Sequence, residues 1–244
     1  MSTQATVEPG KHQVELFDRY AADYHAKHNR HYLKGRLTFL LSRLAARPGM
    51  RILEVGTGVG VITQAISRRF PEAEVYGMDY SEGMIRNRLF THGIVGDAER
   101  LHFLDGTFDW IIASDIIEHV EHPERLIAEA ARCLKPRGRL LLTTPNPFFV
   151  PLLNFTRYLG LSLSSEKLLN PWAVKRWFSK YGFHIVAEQR TNSAYGIALA
   201  MTAKRDLETD VLVGFADLRK HVYLTTCFDL EKTSESLHCL QGVA

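Results

Sequence analysis

The stretch Arg51-Ile-Leu-Glu-Val-Gly-Thr-Gly-Val-Gly60 constrains the rest of the chain more than any other. Ile52, Leu53 and Val55 form a short apolar run of the kind buried in a parallel sheet, and Val61, Ile62, Ala65 and Ile66 repeat with the period of a helix packed on that sheet. The turn between them joins a strand to a helix. Its glycines at 56, 58 and 60 permit φ > 0 and let the backbone approach a ligand, while the helix start near residue 61 presents N–H groups. That is the build of a nucleotide site. The dinucleotide pattern G-x-G-x-x-G would put glycine at position 61, where Val61 stands, which disfavours an NAD-dependent oxidoreductase.

Two further features narrow the ligand. Glu54 lies two places before the first glycine, and Asp79 closes the next apolar strand nineteen residues after the last one. In order along the chain, Glu54-Val-Gly-Thr-Gly-Val-Gly60, Val75-Tyr-Gly-Met-Asp79-Tyr-Ser81 and Gly96-Asp97-Ala98-Glu99 resemble the motif set of class I S-adenosylmethionine-dependent methyltransferases, over roughly residues 15 to 204. The resemblance implies a Rossmann-like α/β fold: a doubly wound, mostly parallel seven-stranded sheet with its last strand antiparallel and N-terminal helices over the site. It implies S-adenosylmethionine as cofactor and S-adenosylhomocysteine as product. The cofactor set it carries over is Tyr20, Glu54, Gly56, Thr57, Gly58, Gly60, Asp79, Tyr80, Met84, Asp97, Ala98 and Ser114.

Composition sets the frame. At 244 residues and 45% hydrophobic content the chain can bury one sizeable core. The expected organisation is an unstructured 1–12, a methyltransferase domain over 13–204 and a helical extension over 205–244. A net charge of +3 without a long basic run gives little support for nucleic acid as partner. The cysteines Cys133, Cys227 and Cys239 lie far apart without metal-ligand spacing, so no metal is expected and a reducing cytoplasm suits the chain. The polar start has no apolar core, which fits neither a signal peptide nor a membrane anchor.

Val14 to Tyr24 reads as a helix. Phe17, Tyr20 and Tyr24 either form its packed face or, as the resemblance implies, lie over the cofactor. Leu33, Leu37, Leu40, Leu41 and Leu44 mark a second helix, stopped by Pro48-Gly49. The strand from Glu74 to Met78 brings Asp79 to the carboxyl edge of the sheet, where ligands of open α/β sheets bind. Asp79 there can accept from ribose hydroxyls, or else cap the helix at Glu82, a task Ser81 performs equally well. Asp97 suits the adenine amine, with the Ala98 N–H available for a ring nitrogen.

Phe108 to Ala113 is the fourth strand, followed by a helix that starts at Pro123, carries Leu126, Ile127, Ala130 and Leu134, and closes at Lys135-Pro-Arg-Gly138. The fifth strand is Arg139 to Thr144. Residues 147–170 read as a lid or substrate wall, or as a satellite core. A helix capped at Asn170 ends at Gly182; strand six runs from His184 to Arg190 and strand seven from about Ile197 to Thr202. Leu207, Val211, Leu212, Phe215, Leu218 and Val222 mark an amphipathic helix that packs on the domain or meets a second copy, which leaves a homodimer open.

The segment Ser114-Asp-Ile-Ile-Glu-His-Val120 resembles that of small-molecule methyltransferases related to the ubiquinone-pathway O-methyltransferases, whose strand-four motif also ends in Glu-His-Val. The resemblance makes His119, Asp115 and Glu118 the acceptor-side residues, with His119 as general base, or the three as holders of a divalent metal; the other alternative is that Glu118 and His119 only order the loop. The position after strand four lacks the proline clamp of nucleic-acid and protein amine methyltransferases, so a small acceptor is favoured, with oxygen as the methylated atom and an apolar or aromatic part. The rival is a cofactor-binding regulatory or structural protein without transfer activity. The sequence does not identify the acceptor.

Overall fold

The computed structural model describes residues 30–145, 169–191 and 225–232. The elements in chain order are α1 (Arg30–Arg43), β1 (Arg51–Val55), α2 (Val61–Arg69), β2 (Glu74–Asp79), α3 (Glu82–Arg86), β3 (His92–Val95), β4 (Phe108–Ser114), α4 (Pro123–Cys133), β5 (Leu134–Pro145), α5 (Pro171–Lys180), β6 (Phe183–Thr191) and β7 (Thr225–Lys232). The strands form one seven-stranded sheet in the order β3-β2-β1-β4-β5-β7-β6. The pairings from β3 to β5 are parallel, and β7 runs antiparallel to both β5 and β6. This is the doubly wound, Rossmann-like architecture expected from the motifs. Strand order reverses between β1 and β4, so the carboxyl ends of those two strands flank the switch point where such sheets open a crevice.

Near-continuous apolar strands need cover on both faces. Ile52, Trp110, Ile112 and Leu141 cluster with Phe39, Leu40 and Leu44 of the α1 region and Ile62 and Ile66 of α2. The alternate residues Leu53, Val55, Ile111, Ala113, Leu140 and Leu142 cluster with Leu126, Ile127 and Ala130 of α4 and Val174 and Phe178 of α5. Each such Leu or Ile contributes about 1.5–3 kcal/mol when fully buried. Local signals set the helix ends. Pro171 follows Asn170, whose side chain accepts from Trp172 N at 2.9 Å and Ala173 N at 3.4 Å, a cap worth about 1 kcal/mol.

The seventh strand lies elsewhere than expected. It is Thr225–Lys232, inside the span read as a helical extension, and its Phe228 and Leu230 are buried in the core. Asp229 and Lys232 are buried too. Arg139 donates to Asp229 from Nε at 3.0 Å and also from its second nitrogen, and Lys232 Nζ donates to Leu134 O at 2.9 Å. The sheet therefore runs past residue 204 to Lys232. Leu134 is also reassigned: it opens β5 opposite Phe108, and the chain irregularity follows it, with Trp110 next paired to Arg139. Arg137 there takes φ 63°. Residues 14–24 with Tyr20, 146–168 of the expected lid, 197–202 and 207–222 lie outside the described residues.

Candidate active site

The glycine turn is shaped by backbone ties to its neighbour strand. Gly56 N and Thr57 N both donate to Met78 O, at 2.8 and 3.0 Å, and Gly60 N donates to Thr57 O at 2.9 Å. Gly56, Gly58 and Gly60 take φ of 71°, 56° and 84°. A Cβ on Gly56 would lie 2.7 Å from Ile116 Cγ1, so the turn packs directly on the segment after β4. Gly60 is the N-cap of α2, which has no side-chain cap.

Glu54 sits beneath this turn, buried, and accepts from the hydroxyls of Thr57 and Thr63. Burial pushes its carboxyl up to about 7, against the pull of Thr63, Thr57 and the Arg36 charge. Its role in the structure is to hold the turn from below. Asp79 is not free of the backbone, as a cap at Ser81 alone would have left it: Oδ2 accepts from Gly58 N at 2.8 Å and Oδ1 from Ser81 N at 2.9 Å. Ser81 caps α3 through Met84 N, Met84 is buried against Val59, and Tyr80 is 56% exposed. Gly96 N donates to Asp79 O at 2.9 Å, which brings the Asp97–Ala98 loop beside Asp79. Asp97 Oδ1 accepts from Glu99 N at 2.8 Å.

On the other side of the switch point, β4 and β5 turn polar at their carboxyl ends. Ser114 Oγ lies 3.0 Å from Thr143 Oγ1. Asp115, at φ 50°, donates its N–H to Thr143 O at 3.0 Å and accepts from Thr143 Oγ1 at 2.8 Å. Its other oxygen forms an ion pair with Arg36 of α1, the Arg36 and Asp115 side chains being 6% and 10% exposed. Glu118 is buried and accepts from Thr144 Oγ1 at 3.1 Å. His119 is half-buried, its N–H donating to Ile116 O at 2.9 Å.

Successive strand residues point to opposite faces. Thr143 holds Asp115 and Thr144 holds Glu118, so the two carboxylates are turned to opposite faces of the sheet edge. Among the described residues no group of three His, Cys, Asp or Glu side chains is arranged to hold a metal ion. Cys133 is buried, and burial pushes its thiol up to about 11. Arg36, Thr143 and Thr144 were not singled out in the sequence. Arg36 carries no local motif, and the two threonines differ from core residues only by standing where an apolar strand ends.

The chain matches the model of a methyltransferase domain over residues 25–188. It is 37% identical over 113 residues to a ubiquinone/menaquinone biosynthesis C-methyltransferase, UbiE, of Bordetella parapertussis, a match that covers 43% of this chain and 44% of that protein. The match thus spans less than half the relative's length. Among solved structures, the complex between the Haloferax volcanii Trm112 methyltransferase activator and the putative methyltransferase aligns with TM-score 0.68 at 19% identity, over 89% of this chain and 97% of that one. A geranyl diphosphate C-methyltransferase from Streptomyces coelicolor, solved with Mg2+, geranyl diphosphate and S-adenosylhomocysteine, aligns with TM-score 0.62 at 16% identity, over 81% of this chain and 78% of that one. At these identities the structural likeness speaks for the fold. Among the described residues no helix is long and apolar enough to cross a membrane.

Proposed function

Since the chain belongs to the class I S-adenosylmethionine-dependent methyltransferase family by its domain match over residues 25–188, we propose that it transfers a methyl group from S-adenosylmethionine to a small-molecule acceptor. The observation that carries the reading is the positive-φ turn at Gly56, Gly58 and Gly60, set at the switch point with the Asp79 carboxylate against it. The residues present fit the cofactor. The N-terminus of α2 lacks a side-chain cap and favours an anionic group such as a carboxylate. Gly58 N and Ser81 N hold the Asp79 carboxylate against the glycine turn, and we assign it to the ribose hydroxyls. Asp97 and the Ala98 N–H are assigned to the adenine, with Tyr80 and Met84 beside it and Tyr20 from the N-terminal segment. Bound there, the cofactor supplies a sulfonium methyl, an electrophile whose transfer depends mainly on positioning.

The acceptor still has to lose a proton. We assign that step to His119 as general base, with Glu118 as a second acceptor-side residue and Asp115 holding the segment through Arg36 and Thr143. A neutral imidazole titrates near 6.5, and such a base is worth about 10² to 10⁴ in rate. Our first reading is transfer to an oxygen of an acceptor with an apolar or aromatic part. Transfer to carbon is the second, favoured by the name of the UbiE relative. Both begin by deprotonating a hydroxyl, because a phenolate or enolate is nucleophilic at oxygen and at the adjacent carbon. Which atom faces the methyl then decides the product.

Incubation with trideuteromethyl-labelled cofactor and a metabolite pool tests this directly. A pool member that gains one labelled methyl supports transfer, and the shift of that methyl in nuclear magnetic resonance separates oxygen from carbon. Cofactor binding by calorimetry with no methylated product would favour the regulatory alternative. His119→Ala should lose about 10² to 10⁴ in turnover while S-adenosylhomocysteine affinity stays near the parent value. A joint fall of melting temperature and cofactor affinity would make His119 a loop-ordering residue instead.

A further inference from the structure

Glu99 ends the Gly96–Glu99 motif but faces away from the assigned adenine position, toward the start of α4. Its Oε1 accepts from Glu121 N at 2.6 Å and from His122 N at 2.9 Å, and its Oε2 lies 2.9 Å from His122 Nδ1. The Glu99 side chain is only 13% exposed. Burial alone would raise this carboxyl, but the N–H groups of His122 and Glu121 and the His122 imidazole outweigh it and hold Glu99 below the usual carboxylate range. It is therefore an ionised acceptor of charge-assisted bonds at neutral pH.

The neighbouring residues show where those bonds lead. One residue before Ala98, Asp97 accepts the Glu99 N–H, which ties Glu99 to the adenine-side loop. Farther on, Leu101 N donates to Glu129 Oε2 at 2.8 Å, and Arg132 donates to Leu101 O at 2.7 Å and Phe103 O at 2.8 Å, which docks the rest of this loop on the body of α4. Glu99 reaches instead to the last residues of the segment that carries Glu118 and His119. His122 is the N-cap of α4 yet makes no side-chain cap bond; its imidazole goes to Glu99. The segment from Asp115 is thus pinned at its start by Arg36 and Thr143 and at its end by Glu99.

We propose that Glu99 is a positioning residue that transmits cofactor binding to the acceptor side: through Glu121 and His122 it ties the loop under the adenine to the segment 115–122. Occupancy of the cofactor site then orders the acceptor residues. The inference rests on the assignment of Asp97 and Ala98 to the adenine and of Glu118 and His119 to the acceptor.

Hydrogen exchange with S-adenosylhomocysteine as probe tests it without an identified acceptor. In the parent, the probe slows exchange both in 97–101 and in 115–122, the latter by about fivefold or more, as two coupled sites require. In Glu99→Ala, slowing at 97–101 persists, while that at 115–122 is lost. Glu99→Gln, which keeps an oxygen facing the N–H groups, retains part of the effect. A residue with only a structural role would change exchange at 115–122 by the same factor with and without the probe. Such a result, or equal probe-induced slowing in parent and Glu99→Ala, overturns the proposal. If Glu99→Ala does not fold, Glu99→Gln and His122→Ala replace it; parent-like slowing in both overturns the proposal, and reduced slowing in either supports it. Absence of any slowing at 97–101 in the parent would strike down the cofactor assignment and this inference with it.

Discussion

On the β1–β2 side of the site the glycine turn is held by backbone-to-backbone bonds beside the side-chain ties of Glu54 and Asp79, whereas on the β4–β5 side Asp115 and Glu118 are held by side chains from other elements. Gly56, Thr57 and Gly60 are fixed by their own N–H groups on Met78 and Thr57 carbonyls. Asp115, Glu118 and His122 are fixed by Arg36, Thr143, Thr144 and Glu99. The turn's shape depends on the left-handed geometry of Gly56, Gly58 and Gly60 rather than on which side chains surround it. A side-chain tie can be altered one residue at a time. On the function proposed above, the first side is the mould for the cofactor and the second the wall of the acceptor.

The strongest way to break that comparison is Arg36→Ala. It leaves the Asp115 carboxylate buried without its cation, and removing one partner of a buried pair destabilises by about 3–5 kcal/mol. Denaturant unfolding reads the loss. On the side-chain account the damage stays on the acceptor side, so S-adenosylhomocysteine affinity changes by no more than a few-fold. A loss of cofactor binding as large as the loss of stability would mean that the two sides are one unit.

Gly56→Ala strikes the opposite side and is next in size. At φ 71° a Cβ is strained by about 1–2 kcal/mol. It also falls 2.7 Å from Ile116 Cγ1, and overpacking of this kind adds about 1–3 kcal/mol. Here cofactor affinity should fall together with stability. Ile116→Ala in the same chain should restore the packing part and leave the backbone part; full restoration would show that Ile116 alone, and not the left-handed geometry, requires glycine at 56.

How far the sequence could be read follows the same divide. The glycine turn, β1, β2, β4, α1 and the Asn170 cap were legible because their signals lie within a few residues of each other. The side-chain ties were not: Arg36 and Asp115 are 79 positions apart, and Arg139 and Asp229 are 90. β7 was missed for that reason. Thr225-Thr-Cys-Phe-Asp-Leu-Glu-Lys232 reads as a polar stretch until Arg139 and the Leu134 carbonyl satisfy Asp229 and Lys232. Residues 197–202, more apolar, drew the assignment instead. Asp115 and Glu118 could be singled out in the sequence, but not the Thr143 and Thr144 hydroxyls that bond them, 28 and 26 positions away.

Asp79→Ala sharpens the donor-side half. Losing a charge-assisted acceptor for ligand hydroxyls weakens the cofactor by about tenfold to a hundredfold, roughly 1.5–3 kcal/mol. The same change frees Gly58 N and Ser81 N from their shared acceptor, so the turn itself loosens. Calorimetry with S-adenosylhomocysteine measures the affinity. Parent-like binding by Asp79→Ala would remove Asp79 from the cofactor site, whereas Asp79→Asn, which keeps one acceptor oxygen, should fall between the two.

The smallest effect lies where the two sides meet, at Glu54. Its carboxyl is under the turn, bonded to Thr57 and Thr63, yet it also feels the charge of Arg36 from the acceptor side. Burial pushes it up to about 7 in the folded chain, whereas an unfolded Glu titrates near 4.3. The folded state therefore holds the proton more tightly. Its contribution to stability is present in full below about 4.3 and is lost as pH rises through about 7. From pH 6 to pH 8 that loss amounts to about 1 kcal/mol at this site. Glu54→Gln keeps an oxygen for the two hydroxyls and carries no proton to lose, so its denaturation midpoint should stay level over the same interval while that of the parent falls. Arg36→Ala should push Glu54 higher still, because a cation that favoured the carboxylate is gone. A parent that is flat between those two pH values, or a Glu54→Gln chain that falls as steeply, would mean that Glu54 stays ionised under the turn and that Arg36 serves both sides equally.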